Sequence, residues 1–320
     1  MSADLPPSLR ALYDACGPIL RYRILRDVLG EDESYVRTAH AGLEVLKLPE
    51  VQQLLAAQQE NGLWTDFRTS EIAALRLCEF GLESQESLER LREQVLLPTL
   101  LDNHALWEYS QSPLDEAGKR VARRILRDKA LHLLCRIQRR EDPVIRTQLE
   151  VILVEWEHYL AHSVSNGKTQ TLSLPAPTAD SYAAVCRYPW SDDEFLRVHE
   201  LVTRLVKHAE ANVTQTALQP LAVLLFRLDD KWQYLAQPPR LLHDLELAAT
   251  LGVARDLDFA EWMLEELEAR QDADGFFRFP DAGEIQSSWY FPLEKTNPDE
   301  FYVECTFRAE LIFKLLAFDI

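Results

Sequence analysis

Glycine is scarce in this sequence, with only ten glycines among 320 residues. Long apolar runs are also missing: LAVLLF at 221–226 is typical of the longest, far short of the about 20 residues that a membrane-spanning helix needs. The first residues, MSADLPPSLR, lack the basic segment and apolar segment of a secretory signal. These absences predict a protein with neither a membrane span nor a signal peptide.

Cysteine is present only as five scattered residues, without any C-x-x-C pair. An odd number of cysteines beside apolar neighbours is not the pattern of a disulfide framework. We therefore expect buried, reduced thiols and a cytoplasmic location. The five positions are Cys16, Cys78, Cys135, Cys186 and Cys305.

Positive charge is in deficit, because 34 Lys and Arg face 52 Asp and Glu, for a net charge of −18. Such a field repels nucleic-acid backbones and anionic membranes, so we expect neither as a partner. One basic stretch, GKRVARRILRDK at Gly118–Lys129, carries six Lys or Arg. We interpret it as a helix face neutralised by acids, and the alternative is a face that contacts phosphate.

Helix-forming residues fill the chain between its few breakers. Apolar side chains recur at helical spacing, as in Ile19–Leu29, Ser84–Leu101, Ser191–Glu210 and Asp256–Gln271. About twelve such amphipathic segments occur, with almost no convincing strand. Apolar residues make up 47% of the chain, enough for a large core. The sequence predicts an all-α fold in a single domain, residues 1–320.

Two segments interrupt the helical pattern. Residues 165–190 are rich in Ser, Thr and Pro and predict an irregular loop. Residues 275–301 predict a second loop, loaded with aromatic side chains. Its Trp289, Tyr290 and Phe291 are candidates for ligand binding, since they could cover an isoprenoid or stack on a sugar. The alternative is that they pack between the first and last helices.

The stretch VQQLLAAQQENGLW, Val51–Trp64, has a counterpart in WMLEELEARQDADGFFRF, Trp262–Phe279. Each is an apolar helix followed by a Gln, a Gly and an aromatic residue. Aligned, Gln58 or Gln59, Gly62 and Trp64 match Gln271, Gly275 and Phe277. We expect the Gln to bond helix-end carbonyls, the Gly to take the left-handed turn, and the aromatic ring to pack on a neighbouring helix. Two copies predict stacked helical hairpins.

The Q-x₂₋₃-G-x-W/F pattern after an amphipathic helix resembles the repeat of squalene–hopene cyclases and protein prenyltransferase β subunits. The resemblance covers residues 43–80 and 240–318, and FYVECTFRAELIFKLL at 301–316 is similar to the closing helix of bacterial members of that superfamily. It implies an α/α toroid, in which about six hairpins form two concentric rings of helices around a cavity. It also implies an isoprenoid or other lipid-like ligand, or cyclase- or transferase-type chemistry.

The acids and metal ligands of that superfamily do not recur here. The sequence contains neither D-x-D-D nor D-D-x-x-D, and the nearest candidates for a catalytic acid are Asp229 and Asp230. Zinc would require Asp, Cys and His, but the spacing of His243, Asp299 and Cys305 does not reproduce the pattern. We therefore expect no cofactor, and whether the protein is an enzyme is an open question at this point.

Two further groups of residues share helical faces. Glu155, His158 and His162 lie at i, i+3 and i+7, a spacing that can bind a metal ion. We favour a partly exposed polar stripe, because a di-iron site needs a second such helix. His132 and Cys135 also share a face, which we interpret as the edge of the core.

Three functions remain compatible with the sequence. The first is binding of an apolar small molecule in the cavity of the toroid. The second is a non-catalytic scaffold that binds a protein partner. The third is a carbohydrate-active toroid that uses two of its carboxylates.

Overall fold

The computed structural model describes Leu5 and residues 7–102, 116–137, 141–165, 177–211, 238–250, 258–278 and 301–317. Within these ranges the regular structure is helical, apart from one isolated bridge between Gln271 and Phe277. The all-α prediction is confirmed. No helix in the described part of the chain is long and apolar enough to cross a membrane.

Contacts divide the chain into two compact units. Unit 1 comprises Met1–Ala56, Arg76–Leu82 and Asp229–Ile320, and unit 2 comprises Ala57–Leu75 and Glu83–Leu228. The helices of unit 1 are α1 Pro7–Ala15, α2 Pro18–Arg23 with a π-helical continuation Ile24–Val28, α3 Val36–Leu46, α4 Pro49–Ala56, α12 Pro238–Thr250, α13 Asp258–Glu268 and α14 Phe301–Ala317. Those of unit 2 are α6 Glu86–Leu91 with a π-helical continuation Arg92–Leu96, α7 Leu97–Asp102, α8 Glu116–Ile137, α9 Pro143–Ser165, α10 Ala179–Arg187 and α11 Asp192–Ala211. Helix α5, Phe67–Glu79, contributes residues to both.

In unit 1 the last helix packs against the first ones. Helix α14 contacts α12, α1 and the π-helical segment that continues α2. Buried side chains such as Phe307 and Ile312 form its part of the core, and Lys314 Nζ donates to the Asp27 carbonyl at 2.7 Å. The two ends of the chain are therefore held together within unit 1.

In unit 2 two helical hairpins stack in the same direction. Helix α8 packs on α10, and α9 packs on α11. Side chains that touch across these pairs are separated by nearly constant distances in sequence: His132 and Asp180 by 48 positions, Arg146 and Glu194 by 48, and Arg197 and Glu150 by 47. Residue numbers rise together along α9 and α11, and also along α8 and α10, where Asp128 meets Thr178 and His132 meets Asp180. The helices of each pair therefore run parallel. Hairpin α8–α9 is followed by hairpin α10–α11 at a shift of about 48 residues, as expected for stacked repeats.

The first of the two matched turns lies in unit 2. Gln58 Nε2 donates to the Gly62 carbonyl at 2.9 Å, and Gly62 has a φ of +82°. The Trp64 amide donates to Ser70 Oγ at 2.8 Å, and that hydroxyl donates in turn to the Asp66 carbonyl. The indole ring is buried. The turn is thereby tied to the first turn of α5.

The second matched turn, in unit 1, makes the same bonds. Gln271 Nε2 donates to the Gly275 carbonyl at 3.2 Å, and Gly275 has a φ of +86°. The amide of Phe277, a buried residue, donates to Thr306 Oγ1 at 2.9 Å, and Thr306 Oγ1 donates to the Tyr302 carbonyl. The two turns are therefore equivalent in geometry, and the residue that matches Gln271 is Gln58, not Gln59.

The expectation for the glutamine itself is wrong. Gln58 Nε2 bonds the carbonyls of Gly62 and Ser87, not those at the end of the preceding helix. Helix α4 already ends at Ala56, so Gln58 lies in the turn. Its side chain closes the turn and ties it to α6.

The matched glycines give a controlled test of the two turns. A methyl group at Gly62 would lie 3.1 Å from the Arg90 carbonyl oxygen, whereas one at Gly275 would meet no atom of the described residues within 4 Å. Both substitutions carry the cost of a left-handed alanine, roughly 1–2 kcal/mol. We expect Gly62→Ala to lower the midpoint of urea unfolding more than Gly275→Ala, because only Gly62→Ala adds a clash with backbone. Equal shifts of the two midpoints would contradict the packing described for Gly62.

The predicted loop at 165–190 needs correction. Residues 179–187 form helix α10, which begins with a capping box between Thr178 and Ser181. This Ser/Thr signal was available in the sequence, but the prolines before it suggested a loop. Residues 166–176 lie outside the described part of the chain. Of the second predicted loop, 275–301, the structure describes the Gly275 turn up to residue 278 and the start of α14.

Candidate functional site

A buried histidine and a buried aspartate join α8 to α10 in unit 2. His132 Nδ1 lies 3.0 Å from Asp180 Oδ1. Burial lowers the pKa of His132, and the hydrogen bond to Asp180 acts in the opposite direction. The imidazole is therefore neutral at pH 7. Since a carboxylate can only accept, the hydrogen of this neutral ring lies on Nδ1 and Nε2 keeps its lone pair.

An ion pair lies beside this hydrogen bond. Lys129 Nζ lies 2.5 Å and 2.7 Å from the two carboxylate oxygens of Glu71, which joins α8 to the start of α5. Burial raises the pKa of Glu71, Lys129 opposes the shift, and the negative charge of Asp180 adds to it. The influence of Asp180 on Glu71 shows that the two pairs form one cluster.

Asp128 extends this cluster toward α9. Its side chain is wholly buried, and it accepts hydrogen bonds from Thr178 Oγ1 at 2.7 Å and from Arg127 Nη2 at 2.9 Å. Arg127 also donates to both carboxylate oxygens of Glu155 on α9, each at 2.9 Å. Burial raises the pKa of Asp128, and the Arg127 charge and the Thr178 hydroxyl oppose the shift. The cluster thus spans four helices of unit 2.

The arrangement has the residue types of an acid–base site, but its lysine and arginine are paired with carboxylates of the same cluster. A histidine oriented by an aspartate is the arrangement of a general base. A general acid would need a protonated carboxyl, and the Glu71 carboxylate instead accepts two hydrogen bonds from an ammonium group. Among the described residues, Glu71 faces Lys129 and Asp128 faces Arg127, whereas Asp180 faces the neutral ring of His132. The cluster therefore fixes the positions of α5, α8 and α10, and it does not supply the proton-donating carboxyl of a glycosidase.

The pKa of His132 gives a pH dependence to stability. A group whose pKa is lower in the folded than in the unfolded state stabilises the fold above its unfolded pKa, here 6.5, and this stability is lost as pH falls toward the folded pKa. We expect the urea midpoint to fall between pH 7 and pH 5.5, and to fall less in His132→Gln. His208, whose pKa burial also lowers, leaves a residual dependence in that variant.

The control for this experiment is His40→Gln, at an exposed position on α3. It should keep the full loss of stability between pH 7 and pH 5.5. If His132→Gln loses as much as the wild type over this interval, the neutral, buried state of His132 is wrong.

Unit 1 holds a second buried ionic cluster, centred on Arg308 of α14. Its guanidinium contacts Glu304 at 3.0 Å, Glu246 of α12 at 3.3 Å and Glu79 of α5 at 3.0 Å. Only 2% of the Arg308 side chain is exposed. Arg23 of α2 approaches the same Glu79 and lies over the ring of Phe307. Three carboxylates around one arginine join helices, because they come from α14, α12 and α5.

The structure describes only some of the residues that the sequence singled out for chemistry. Asp229, Asp230, Trp289, Tyr290 and Phe291 lie outside the described residues, so their roles stay predictions. The paired acids Asp192 and Asp193 lie in the first turn of α11. All five cysteines are buried and free, which confirms that part of the sequence analysis.

Of the possible metal stripe on α9, the structure describes the side chains of Glu155 and His158. Glu155 is engaged by Arg127 and Arg124, and His158 is exposed. The side chain of His162 is not among those described. No group of three or more His, Cys, Asp or Glu suited to a metal ion occurs in the described ranges. His132 and Cys135 are both buried, in agreement with their interpretation as core residues.

The basic stretch 118–129 is split between two environments. Arg124, Arg127 and Lys129 form ion pairs with acids of unit 2, as the sequence predicted. Arg120 and Arg123 are exposed. The ionic clusters themselves were missed by sequence reasoning. A signal existed for one of them, since Glu304 and Arg308 stand four residues apart within a largely apolar helix.

Comparison with known proteins found no relative of this chain. No protein-family model matches it, no curated protein matches its sequence, and no solved structure matches its fold. Its function has to be argued from its own residues.

Proposed function

We propose that this protein is an α/α toroid that binds an isoprenoid or other lipid-like molecule in a central cavity. The proposal rests on the repeat architecture, which resembles that of terpenoid cyclases and prenyltransferases in its Gln–Gly–aromatic turns. Binding, and not cyclisation, is the activity proposed, because the sequence lacks the D-x-D-D acid.

The observation that carries the proposal is the parallel stacking of hairpins in unit 2 at a shift of about 48 residues. A toroid is a closed series of such hairpins. Two further observations support it. The same turn recurs at Trp64 and at Phe277, and α14 packs on α1 and on the segment that continues α2 within unit 1, as a closing helix would.

The buried charges favour binding over catalysis. Carboxylates such as Glu71, Asp128 and Glu246 accept hydrogen bonds from Lys or Arg, and Asp180 accepts one from His132. An acid that protonates an alkene has to be protonated itself and unpaired with a cation. The carboxylates paired with Lys or Arg therefore do not supply that acid, and Asp229 and Asp230 stay the candidates for one.

Native mass spectrometry tests the proposal. The 36.9 kDa chain would be incubated with farnesol or with cellotetraose, as probes of a lipid-like and a carbohydrate ligand. We expect a farnesol complex and no cellotetraose complex. A cellotetraose complex, or no complex with either probe, would overturn the proposal.

The aromatic residues of the predicted loop 275–301 provide a variant that tests where the ligand binds. Trp289→Ala, Tyr290→Ala and Phe291→Ala combined should abolish the farnesol complex and leave the melting temperature unchanged. Tyr35→Ala, at an exposed aromatic residue, serves as the matched control and should keep the complex. Equal binding by the triple variant and the control would remove this loop from the site.

The second candidate function is a protein-interaction scaffold, and one observation favours it. Helix α3 and the residue before it expose large apolar side chains: Val36 is 87% exposed, and Tyr35 and Leu43 are more than half exposed. Exposed apolar residues on one helix are typical of interaction surfaces. Pull-down with the wild-type chain and with Val36→Ser, Leu43→Ser would show whether a partner depends on this face.

A further inference from the structure

The first two turns of α8 form a surface that is both basic and apolar. Arg120 and Arg123 are exposed there, next to Val121, which is 59% exposed, and Ile125, which is 42% exposed. From Leu126 onward the same helix is mostly buried. We call these four residues the α8 surface.

The first half of α11 forms a surface of opposite character. Asp193, Leu196 and Glu200 are exposed and, at i, i+3 and i+7, lie on one stripe of the helix. Arg197 is exposed on the same stripe, but it is already paired with Glu150 of α9 at 2.6 Å. Leu196 is 73% exposed and lies on the stripe between the two acids. We call these three residues the α11 surface.

We propose that the α8 surface of one copy of this protein docks on the α11 surface of a second copy. The two surfaces are complementary. The α8 surface presents Val121 and Ile125 next to two arginines, and the α11 surface presents Leu196 next to two acids. In the chain itself both surfaces are exposed, so neither serves as the other's partner within one molecule. The contact joins different patches and is head-to-tail, so it builds a closed ring or an open chain of molecules.

A second copy fits the α8 surface better than nucleic acid does. A nucleic acid would meet only a small basic area and would be repelled by the rest of the molecule. It would also leave Val121 and Ile125 uncovered. The α11 surface supplies both the negative charge and an apolar side chain. The contact does not depend on the proposed ligand.

Sedimentation velocity at 0.15 M salt tests the contact, because screening over about 8 Å removes repulsion between distant charges and leaves pairs in contact. The sedimentation coefficient should rise with protein concentration. Arg120→Glu with Arg123→Glu, and separately Asp193→Lys with Glu200→Lys, should each weaken self-association by about tenfold or more.

Mixing the two variants gives the decisive result. In the arginine variant both the α8 and the α11 surface are negative, and in the acid variant both are positive. Each variant therefore repels its own copies, but the surfaces of one variant are opposite in charge to those of the other. We expect the equimolar mixture to associate again, in alternating order. A wild-type chain that stays monomeric, variants that associate as it does, or a mixture that stays dissociated would each overturn the proposal.

The control variant is Glu157→Lys, which reverses an exposed acid on α9 outside both surfaces. It should associate like the wild type. Circular dichroism of every variant should match the wild type, because all the substituted side chains are exposed. If Glu157→Lys weakens association as strongly as the paired variants, net charge and not the docking contact controls assembly, and the proposal fails.

Discussion

Arg308→Met is expected to destabilise the protein by about 3–5 kcal/mol, because the substitution leaves buried carboxylates without a counter-charge. Glu79, Glu246 and Glu304 surround this guanidinium within 3.3 Å. A methionine fills similar volume, so the effect measured is that of charge. Urea unfolding at pH 7, followed by circular dichroism, gives the change in midpoint.

Two comparisons separate this effect from loss of packing. Combining Arg308→Met with Glu246→Gln and Glu304→Gln should recover much of the lost stability, since two of the buried charges are then gone. Arg197→Met removes a half-exposed partner of Glu150 and should cost less than about 1 kcal/mol. A loss for Arg308→Met no larger than that for Arg197→Met would show that the cluster is not buried as described.

Trp64→Ala and Phe277→Ala are each expected to cost about 3–5 kcal/mol, the usual range for truncating a buried aromatic ring. Both rings are buried, and both follow the glycine of a matched turn. Thermal unfolding of the two variants measures the loss. Ligand affinity of the folded fraction should not change, because the turns are structural.

Two results for these variants would contradict a structural role of the turns. If Trp64→Ala kept the melting temperature and lost farnesol binding, the turn would belong to a ligand site and not to the architecture. If one variant were destabilised and the other not, the two turns would not be equivalent elements.

Local patterns in the sequence predicted the helices and the two turns well. Gly62 and Gly275 stand where a left-handed residue must follow a helix, and Trp64 and Phe277 follow each of them two positions later. These features depend on neighbours within a few residues, so a single sequence contains them. The toroid itself stays a prediction that rests on resemblance and on repeat stacking.

The ionic clusters could not be predicted in the same way. His132 meets Asp180 from 48 positions away, and Arg308 meets Glu79 from 229 positions away. Nothing in the chemistry of 52 acids indicates which one faces a given cation until the helices are packed. Once the shift of about 48 residues between hairpins is known, the partner of His132 follows from it.

Helix α10 was not predicted from the sequence for a different reason. The Thr178–Ser181 capping box was visible in the sequence, but the surrounding Ser, Thr and Pro residues resemble those of a loop. The competing signal came from composition averaged over 26 residues, whereas the helix is only nine residues long. A short helix between two loops is therefore lost when a segment is judged as a whole.

The central claim is that the chain is built from copies of one helix–turn–helix unit, and amide hydrogen exchange at Trp64 and Phe277 tests it most directly. Each amide donates to the hydroxyl of a residue in the first turns of the next helix, Ser70 or Thr306. We predict that both amides are protected, and that Ser70→Ala and Thr306→Ala each lower protection at their own turn by about 1 kcal/mol. An unprotected Phe277 amide, or a response at only one of the two turns, would contradict the repeat.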